Sequence, residues 1–331
     1  MDRQLVPLKL DLSAHRFGRP QQSGPMTVLP LFGPDADGKF TPPLSGIKLG
    51  GVRGYGNVEL HNPSPSGVAI VPLHMGYIQD QAQNHALCTA AFLGAGQKRL
   101  FEDACCVQQA QGGYLESREQ WFFVLPLHLR EEALQLRGQK NYGKLWPAIS
   151  RLNQRLGLEA RGHLEQVVCR QRPLLTQYQS RFELLAGQTG ALFFLGDRLA
   201  GVEIGPSAAY FREVWTPLVC FCYGVAAMEL EGQAGDKPVL PFAAGSLPEL
   251  RGQLTASRQA RLQQVQEWLS RTPADRLDRQ EEESYLGLRL YTAAGKNFVG
   301  QFVEDEGRLV YASVTARPDY LEGVTRASGV N

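Results

Sequence analysis

The side chains best suited to chemistry lie in one short polar cassette, residues 80–85, which reads Asp-Gln-Ala-Gln-Asn-His. Gln83 and Asn84 carry amides that both donate and accept hydrogen bonds, and His85 adds an imidazole. Such groups can read the edge of a base, a ribose or a peptide. The alternative interpretation is a turn whose amides satisfy the loop backbone, and a lone histidine is more often structural than catalytic.

A second polar group surrounds Arg118 and Trp121, which follow a Gly-Gly turn at residues 112–113. A guanidinium can hold a phosphate or a carboxylate, and an indole offers a flat stacking face. The alternative is a loop that Trp121 packs. Together with the polar cassette these residues suggest a ligand site, whose predicted members are Gln83, Asn84, His85, Gln108, Arg118 and Trp121.

Acid–base chemistry would need a carboxylate near the imidazole. Glu102 or Glu203 acting with His85 could support hydrolysis only if folding brings them within hydrogen-bond reach. The chain has no GxSxG, P-loop or HExxH motif, and the glycine run at residues 50–54 precedes a strand-like segment, not a helix. The cysteines and histidines lack the spacing of a zinc site, so neither a metal nor another cofactor is expected.

Bulk composition narrows the function classes further. The chain has 331 residues, 43% hydrophobic and 20% charged, with a formal net charge of +1. A near-neutral chain has no overall field to attract nucleic acid or acidic membranes. We expect no membrane span, because no uncharged apolar run approaches 18 residues. The N-terminus lacks the apolar core of a secretory signal, and six cysteines without a CxxC motif indicate reduced thiols, so we expect a cytoplasmic protein.

Predicted strands and predicted helices are grouped along the chain and do not alternate. Strand-like runs occupy residues 26–32, 58–61, 67–78, 86–93, 99–107 and 120–128, and helical spacing follows at 145–156, where Asn141 is the predicted cap, and at 175–185. A hairpin is predicted at residues 190–204, then an apolar helix at 211–230, a surface helix near 251–269, and strands at 285–291, 298–303 and 308–314.

This order predicts an α+β fold with largely antiparallel sheets and helices packed on one side, with strands, then helices, then C-terminal strands. We expect an N-terminal extension over residues 1–19 and an α+β core domain over 20–232. The C-terminal helix and strands, residues 233–331, are expected to pack on that core. An alternating Rossmann-type arrangement is disfavoured.

Four stretches resemble the ARG-and-Rhodanese-Phosphatase-superfamily-associated protein domain family. They are residues 26–32, 68–106, 188–218 and 287–313. The second contains Gly76 and the run Ala-Gln-Asn-His ending at His85, and it ends at Cys106, where a Cys-Val-Gln run begins that continues to Gln108. The resemblance implies a gene associated with ADP-ribosylglycohydrolases and other NAD-linked enzymes, and a family whose own activity is not settled. It therefore implies such an enzyme as a partner and a nucleotide as a ligand.

Three positions depart from the family pattern. His85 stands where the family tends to have arginine, Gln108 where it tends to have glutamate, and Tyr311 where the last strand often ends in histidine. A glutamine cannot serve as a general base, so this member is expected to favour binding over catalysis if the three positions form one site. Three functions stay open: ligand binding or processing linked to NAD or ADP-ribose, a non-catalytic interaction module, and an autonomous hydrolase.

Overall fold

A computed structural model describes residues 7–36, 38–52, 54–78, 83–109, 121–234 and 243–327. The strands in these residues are β1 (Arg16–Phe17), β2 (Gln21–Ser23), β3 (Met26–Phe32), β4 (Phe40–Thr41), β5 (Lys48–Val52), β6 (Val58–His61), β7 (Val68–Val71), β8 (Met75–Ile78), β9 (His85–Ala86), β10 (Ala91–Leu93), β11 (Lys98–Phe101), β12 (Cys105–Cys106), β13 (Trp121–Val124), β14 (Gly190–Leu195), β15 (Arg198–Ile204), β16 (Asp278–Tyr285), β17 (Leu288–Ala294), β18 (Phe298–Asp305) and β19 (Arg308–Ala316).

The α-helices are α1 (Pro43–Gly46), α2 (Leu127–Gln135), α3 (Trp146–Arg155), α4 (Arg172–Leu175), α5 (Gln177–Arg181), α6 (Ala208–Thr216), α7 (Tyr223–Ala234), α8 (Leu247–Arg271) and α9 (Pro318–Ala327). Two π-helical segments are also present, π1 (Gln166–Arg170) and π2 (Pro217–Cys222). The predicted class, α+β with largely antiparallel sheet, is confirmed.

The central layer is a nine-stranded antiparallel sheet in the order β1-β3-β14-β15-β19-β18-β17-β16, with β2 also paired to β3. The predicted hairpin is present, since β14 and β15 pair through a turn in which Gly196 adopts a φ of 59°. Strands on both sides of the predicted domain boundary near residue 232 share this sheet, because β15 pairs with β19.

Both faces of the central sheet are covered. Along β14 the side chains alternate, so Ala191 and Phe193 join the core beneath α2, α6 and α7. Leu192 and Phe194 join the opposite core, which the last turns of α8 cover through residues such as Trp268. Most helices therefore lie on one face, and α8 lies on the other.

Three smaller sheets form a β-rich lobe over residues 40–124, with strand orders β10-β7-β4, β11-β6-β5 and β12-β9-β8-β13. The lobe has its own apolar cluster, which includes Leu60 and Leu93. Two buried hydrogen bonds join it to the central sheet. Leu73 N donates to Tyr311 Oη at 2.8 Å, and Ala90 N donates to Gln301 Oε1 at 2.7 Å.

The predicted apolar helix is α6, π2 and α7 in succession. Ser207 caps its N-terminus by accepting from Tyr210 N at 3.1 Å. Pro217 has no backbone N–H, and the helix changes there to the wider π form. The run Ala208–Glu231 is long and apolar enough to span a membrane, but 72% of its most apolar window is buried within the fold. These are the features of a core helix.

Several local predictions were wrong. The run 67–78 is broken at residues 72–74, where His74 adopts a φ of 62°, and the run 285–291 is broken by a turn with positive φ at Leu286. His128 belongs to α2 and not to a strand. Asn141 does not cap the following helix, because its side chain accepts from Gly143 N and α3 begins only at Trp146. The sequence reading also missed β16, whose residues are mostly charged and exposed.

Candidate functional site

The structure brings together part of the predicted ligand site. Asn84, His85 and Gln108 are all buried where β9 pairs with β12. Val107 N donates to Asn84 O at 2.8 Å, which places the end of the polar cassette beside Gln108. Gln83 is half-buried next to them. The amides therefore face protein and not bulk solvent.

His85 occupies an enclosed position. Its Nε2 accepts a hydrogen bond from Gly56 N at 3.2 Å, and its Nδ1 has no hydrogen-bond partner among the described residues. Burial is the main cause that lowers the pKa of His85 to about 4. The imidazole is therefore neutral near pH 7, which suits a hydrogen-bonding role better than a cationic one.

Gln108 has a carboxylate neighbour that the sequence did not reveal. Gln108 Nε2 donates to Glu165 Oε2 at 3.0 Å, and both side chains are buried. Glu165 lies directly before π1, and the bridge between Gln108 and His163 brings that segment against β12. Fifty-seven residues separate the two partners, so no local motif signals the pair.

The remaining predicted residues are dispersed. Arg118 and residues 80–82 of the polar cassette lie outside the described residues. Trp121 begins β13, which belongs to the same four-stranded sheet as His85. Glu102 is exposed and pairs with Lys140 at 3.0 Å. Tyr311 lies on β19. It lines a small cavity together with Glu203, and both belong to a separate polar cluster.

This second cluster, which we call the arginine network, is centred on Arg130 of α2. Arg130 is 1% exposed, and its Nη1 donates to Glu203 Oε1 at 2.6 Å. Its Nε donates to His74 Nδ1 at 3.2 Å, and its Nη2 donates to Ser313 Oγ. Tyr223 Oη completes the set by donating to Glu203 Oε1 at 2.8 Å.

Glu203 is the hub of these contacts. Besides Arg130 and Tyr223, it accepts a hydrogen bond from Ser313 Oγ through Oε2 at 2.6 Å. A cavity of about 10 Å³ lies beside it and is lined by Tyr210, Tyr311 and Ser313 among others. That volume accommodates about one water molecule and no larger ligand.

The pKa shifts in the arginine network agree with an ion pair between Arg130 and Glu203 that is buried from solvent. Burial lowers the pKa of Arg130, but the charge of Glu203 outweighs it and raises the pKa above its ordinary value. Burial, followed by the charge of Arg130, lowers the pKa of His74 well below its usual range. Burial also raises the pKa of Tyr223 and Tyr311, so both phenols stay protonated.

The third feature is a groove at the surface of the fold. A groove of about 70 Å³ lies between α2, α7 and α9, at the ends of β14 and β19. We call it the α2–α7 groove; it is lined by Leu127, His128, Arg155, Leu195, Ala226, Glu229, Leu230, Ala316, Pro318, Leu321 and Glu322. His128 Nε2 donates to Glu229 Oε2 at 2.8 Å, and Arg155 Nη2 lies 2.9 Å from Glu229 Oε1. The groove therefore combines an apolar floor with one polar end.

The polar end is held by a shared carboxylate. Burial raises the pKa of Glu229, but the hydrogen bond and charge of His128 and the charge of Arg155 outweigh it, so its pKa is lowered. The carboxylate is therefore ionised near pH 7. Nowhere in the described residues do three or more histidine, cysteine, aspartate or glutamate side chains gather as a metal site would require.

Residues 14–315 match the ARG and Rhodanese-Phosphatase-superfamily-associated Protein domain. The chain belongs to this family. The match covers nearly the whole chain, including the β-rich lobe, the arginine network and most of the α2–α7 groove. No match was found among curated proteins or among solved structures. The family description names an association with other superfamilies and assigns no reaction.

Within this family member, the three positions expected to form one site belong to two different clusters. His85 and Gln108 lie where β9 pairs with β12, whereas Tyr311 lies beside the arginine network, where its hydroxyl accepts from Leu73 N at the junction of the lobe and the central sheet. Sequence reasoning identified Glu203 and Tyr311 but missed Arg130. The available signal was the spacing of Leu127, Arg130 and Leu134, which puts an arginine on the buried face of α2.

Proposed function

We propose that this chain binds a small ligand of the NAD or ADP-ribose class in the cytoplasm and has no hydrolytic activity of its own. The observation that carries the proposal is the α2–α7 groove, where a carboxylate, an imidazole and a guanidinium meet an apolar floor. Ligand sites usually combine mainly apolar walls with a few convergent polar groups.

The state of the ionisable side chains argues against autonomous catalysis. The carboxylate of Glu203 is already used by Arg130, Tyr223 and Ser313. His85 is neutral and enclosed, and Gln108 cannot act as a general base. A general base also needs substrate within reach, and the cavity of about 10 Å³ beside Glu203 has no room for a ligand.

The test is a thermal-shift titration of the purified chain with NAD, ADP-ribose and nicotinamide. A ligand at 100 times its Kd stabilises the folded state by about 2.7 kcal/mol. For a chain of this size that corresponds to a rise in Tm of about 4 °C. No shift with any of the three ligands at millimolar concentration would refute the proposed function.

A matched pair of variants locates the binding. Leu230 lines the groove and is half-buried, so Leu230→Trp fills the groove from its rim. Leu174 is 51% exposed on α4 and does not line the groove, so Leu174→Trp is the control. We expect Leu230→Trp alone to abolish the shift. Equal shifts in both variants would place the ligand elsewhere.

A second candidate function, the interaction module, is favoured by α8. The first part of this 25-residue helix packs little against the fold, and Leu247 is 71% exposed. Its four arginines and two glutamates give it a formal charge of +2. An acidic surface on an ADP-ribosylglycohydrolase or another NAD-linked enzyme would complement it. Co-elution in size-exclusion chromatography that Leu247→Glu abolishes would support this function, and separate elution of the unchanged chain would oppose it.

A further inference from the structure

The size of the α2–α7 groove limits which part of a ligand can enter it. Its volume of about 70 Å³ is room for about five water molecules, and so for a single small ring. A complete dinucleotide, with two riboses and two phosphates, exceeds that volume several times. One end of such a ligand would enter, and the remainder would lie along the outer surface.

The walls of the groove suit a flat ring. Leu195, Ala226, Leu230, Ala316 and Leu321 supply apolar surface from four different elements. A planar heterocycle buries both faces against such walls and gains about 25 cal/mol for each Å² of apolar area removed from water. A phosphate would gain nothing there and would lose its hydration.

The charge of the groove excludes phosphates for a second reason. Its lining contains one arginine and two glutamates, Arg155, Glu229 and Glu322. The guanidinium is engaged already, because both Nε and Nη2 of Arg155 lie within 3.0 Å of Glu229 Oε1. An anionic diphosphate would have to break this pair and then face the carboxylates. An uncharged or cationic ring meets no such cost.

The polar end can still recognise a donor on the ring. An ionised carboxylate has about four lone-pair sites. Arg155 takes two on Oε1 of Glu229 and His128 takes one on Oε2. One site on Oε2 is left for an N–H of the ligand, such as an amide or amine attached to the ring.

We propose that the α2–α7 groove takes a single six-membered nitrogen heterocycle, neutral or cationic, that carries an amide donor, and that it leaves the phosphates outside. This inference rests on the proposed function and adds to it the part of the ligand that is recognised. The nicotinamide ring of NAD is a cation of this kind, whereas the only heterocycle of ADP-ribose is adenine, whose two fused rings exceed the single small ring that the groove admits. The two ligands therefore separate the inference from the general proposal.

Isothermal titration calorimetry with nicotinamide, 1-methylnicotinamide, NAD and ADP-ribose tests it. We expect the first three to bind, and ADP-ribose to bind at least ten-fold more weakly than NAD. Glu229→Gln removes the negative charge and keeps a similar shape, so it should weaken 1-methylnicotinamide more than neutral nicotinamide. Leu230→Trp should weaken nicotinamide, 1-methylnicotinamide and NAD at least ten-fold, and Leu174→Trp should not.

The outcomes are distinct. If ADP-ribose binds as tightly as NAD and nicotinamide does not bind, the inference is wrong while the proposed function stands. If none of the four ligands binds, both are wrong. Should Leu230→Trp fail to fold, Leu321→Trp fills the same groove from α9 and replaces it. Unchanged nicotinamide affinity in a folded groove-filling variant would also overturn the inference.

Discussion

Removing one partner of the Arg130–Glu203 pair should strongly destabilise the fold. Arg130 is 1% exposed and Glu203 is 4% exposed, so either charge left alone has no water to solvate it. Breaking a buried ion pair in this way costs about 3–5 kcal/mol. Domains are typically stable by only about 5–15 kcal/mol, so Arg130→Met or Glu203→Gln should consume a large part of the total.

The double variant Arg130→Met/Glu203→Gln distinguishes an electrostatic cost from a packing cost. It removes both charges and keeps side chains of similar length, so neither charge remains unpaired. We expect it to be less destabilised than the sum of the single variants by at least about 2 kcal/mol. His74 and Ser313 would each lose a hydrogen bond from Arg130, so the recovery should be incomplete.

Urea unfolding followed by circular dichroism measures these differences through the midpoint at constant m-value. Far-ultraviolet spectra of the folded variants provide the control for retained secondary structure. The reasoning is refuted if each single variant costs less than about 1 kcal/mol, or if the double variant equals the sum of the singles within about 0.5 kcal/mol.

Three further predictions concern single residues. His85 has a pKa of about 4 in the folded chain against 6.5 as a free side chain, so the unfolded chain binds the extra proton and stability falls as the pH drops from 6.5 to 4. His85→Gln should remove up to about 3 kcal/mol of this loss of unfolding free energy. Urea unfolding at several pH values between 6.5 and 4 measures the effect, and an unchanged pH profile in the variant would contradict the prediction. Gly201→Ala would push a methyl group into the Tyr223 hydroxyl and should cost about 1–3 kcal/mol, whereas a wild-type Tm would show that the ring moves freely. Ser207→Ala removes the cap that accepts from Tyr210 N and should cost about 1–2 kcal/mol in urea, while Ser207→Asp, as the control, should retain most of the stability.

The sequence predicted those parts of the fold whose signal is local. The hairpin at Gly196 follows from a two-residue turn between apolar runs, and the apolar helix follows from its length. The charged strand β16 was missed because exposed edge residues show no alternation. The break in the predicted strand at His74 was missed because a residue other than glycine with positive φ is uncommon, and no residue type at this position indicates it.

The site was less predictable because its contacts are long-range. Arg130 and Ser313 are 183 residues apart, and Gln108 and Glu165 are 57 apart. Strand pairing and helix packing bring them together, and a single sequence contains no record of those pairings. The polar cassette was found because its residues are adjacent, whereas the α2–α7 groove draws on six segments of the chain.

The two edges of the nine-stranded sheet affect how readily the protein aggregates at high concentration. At one margin β16 carries Arg279 and the consecutive acids 281–283, so a second copy approaching side by side would bring like charges together. At the other margin β1 and β2 span only two and three residues, too few to template a new strand. We expect the chain to resist fibril-like stacking even though inner strands such as β7 and β14 are almost wholly apolar.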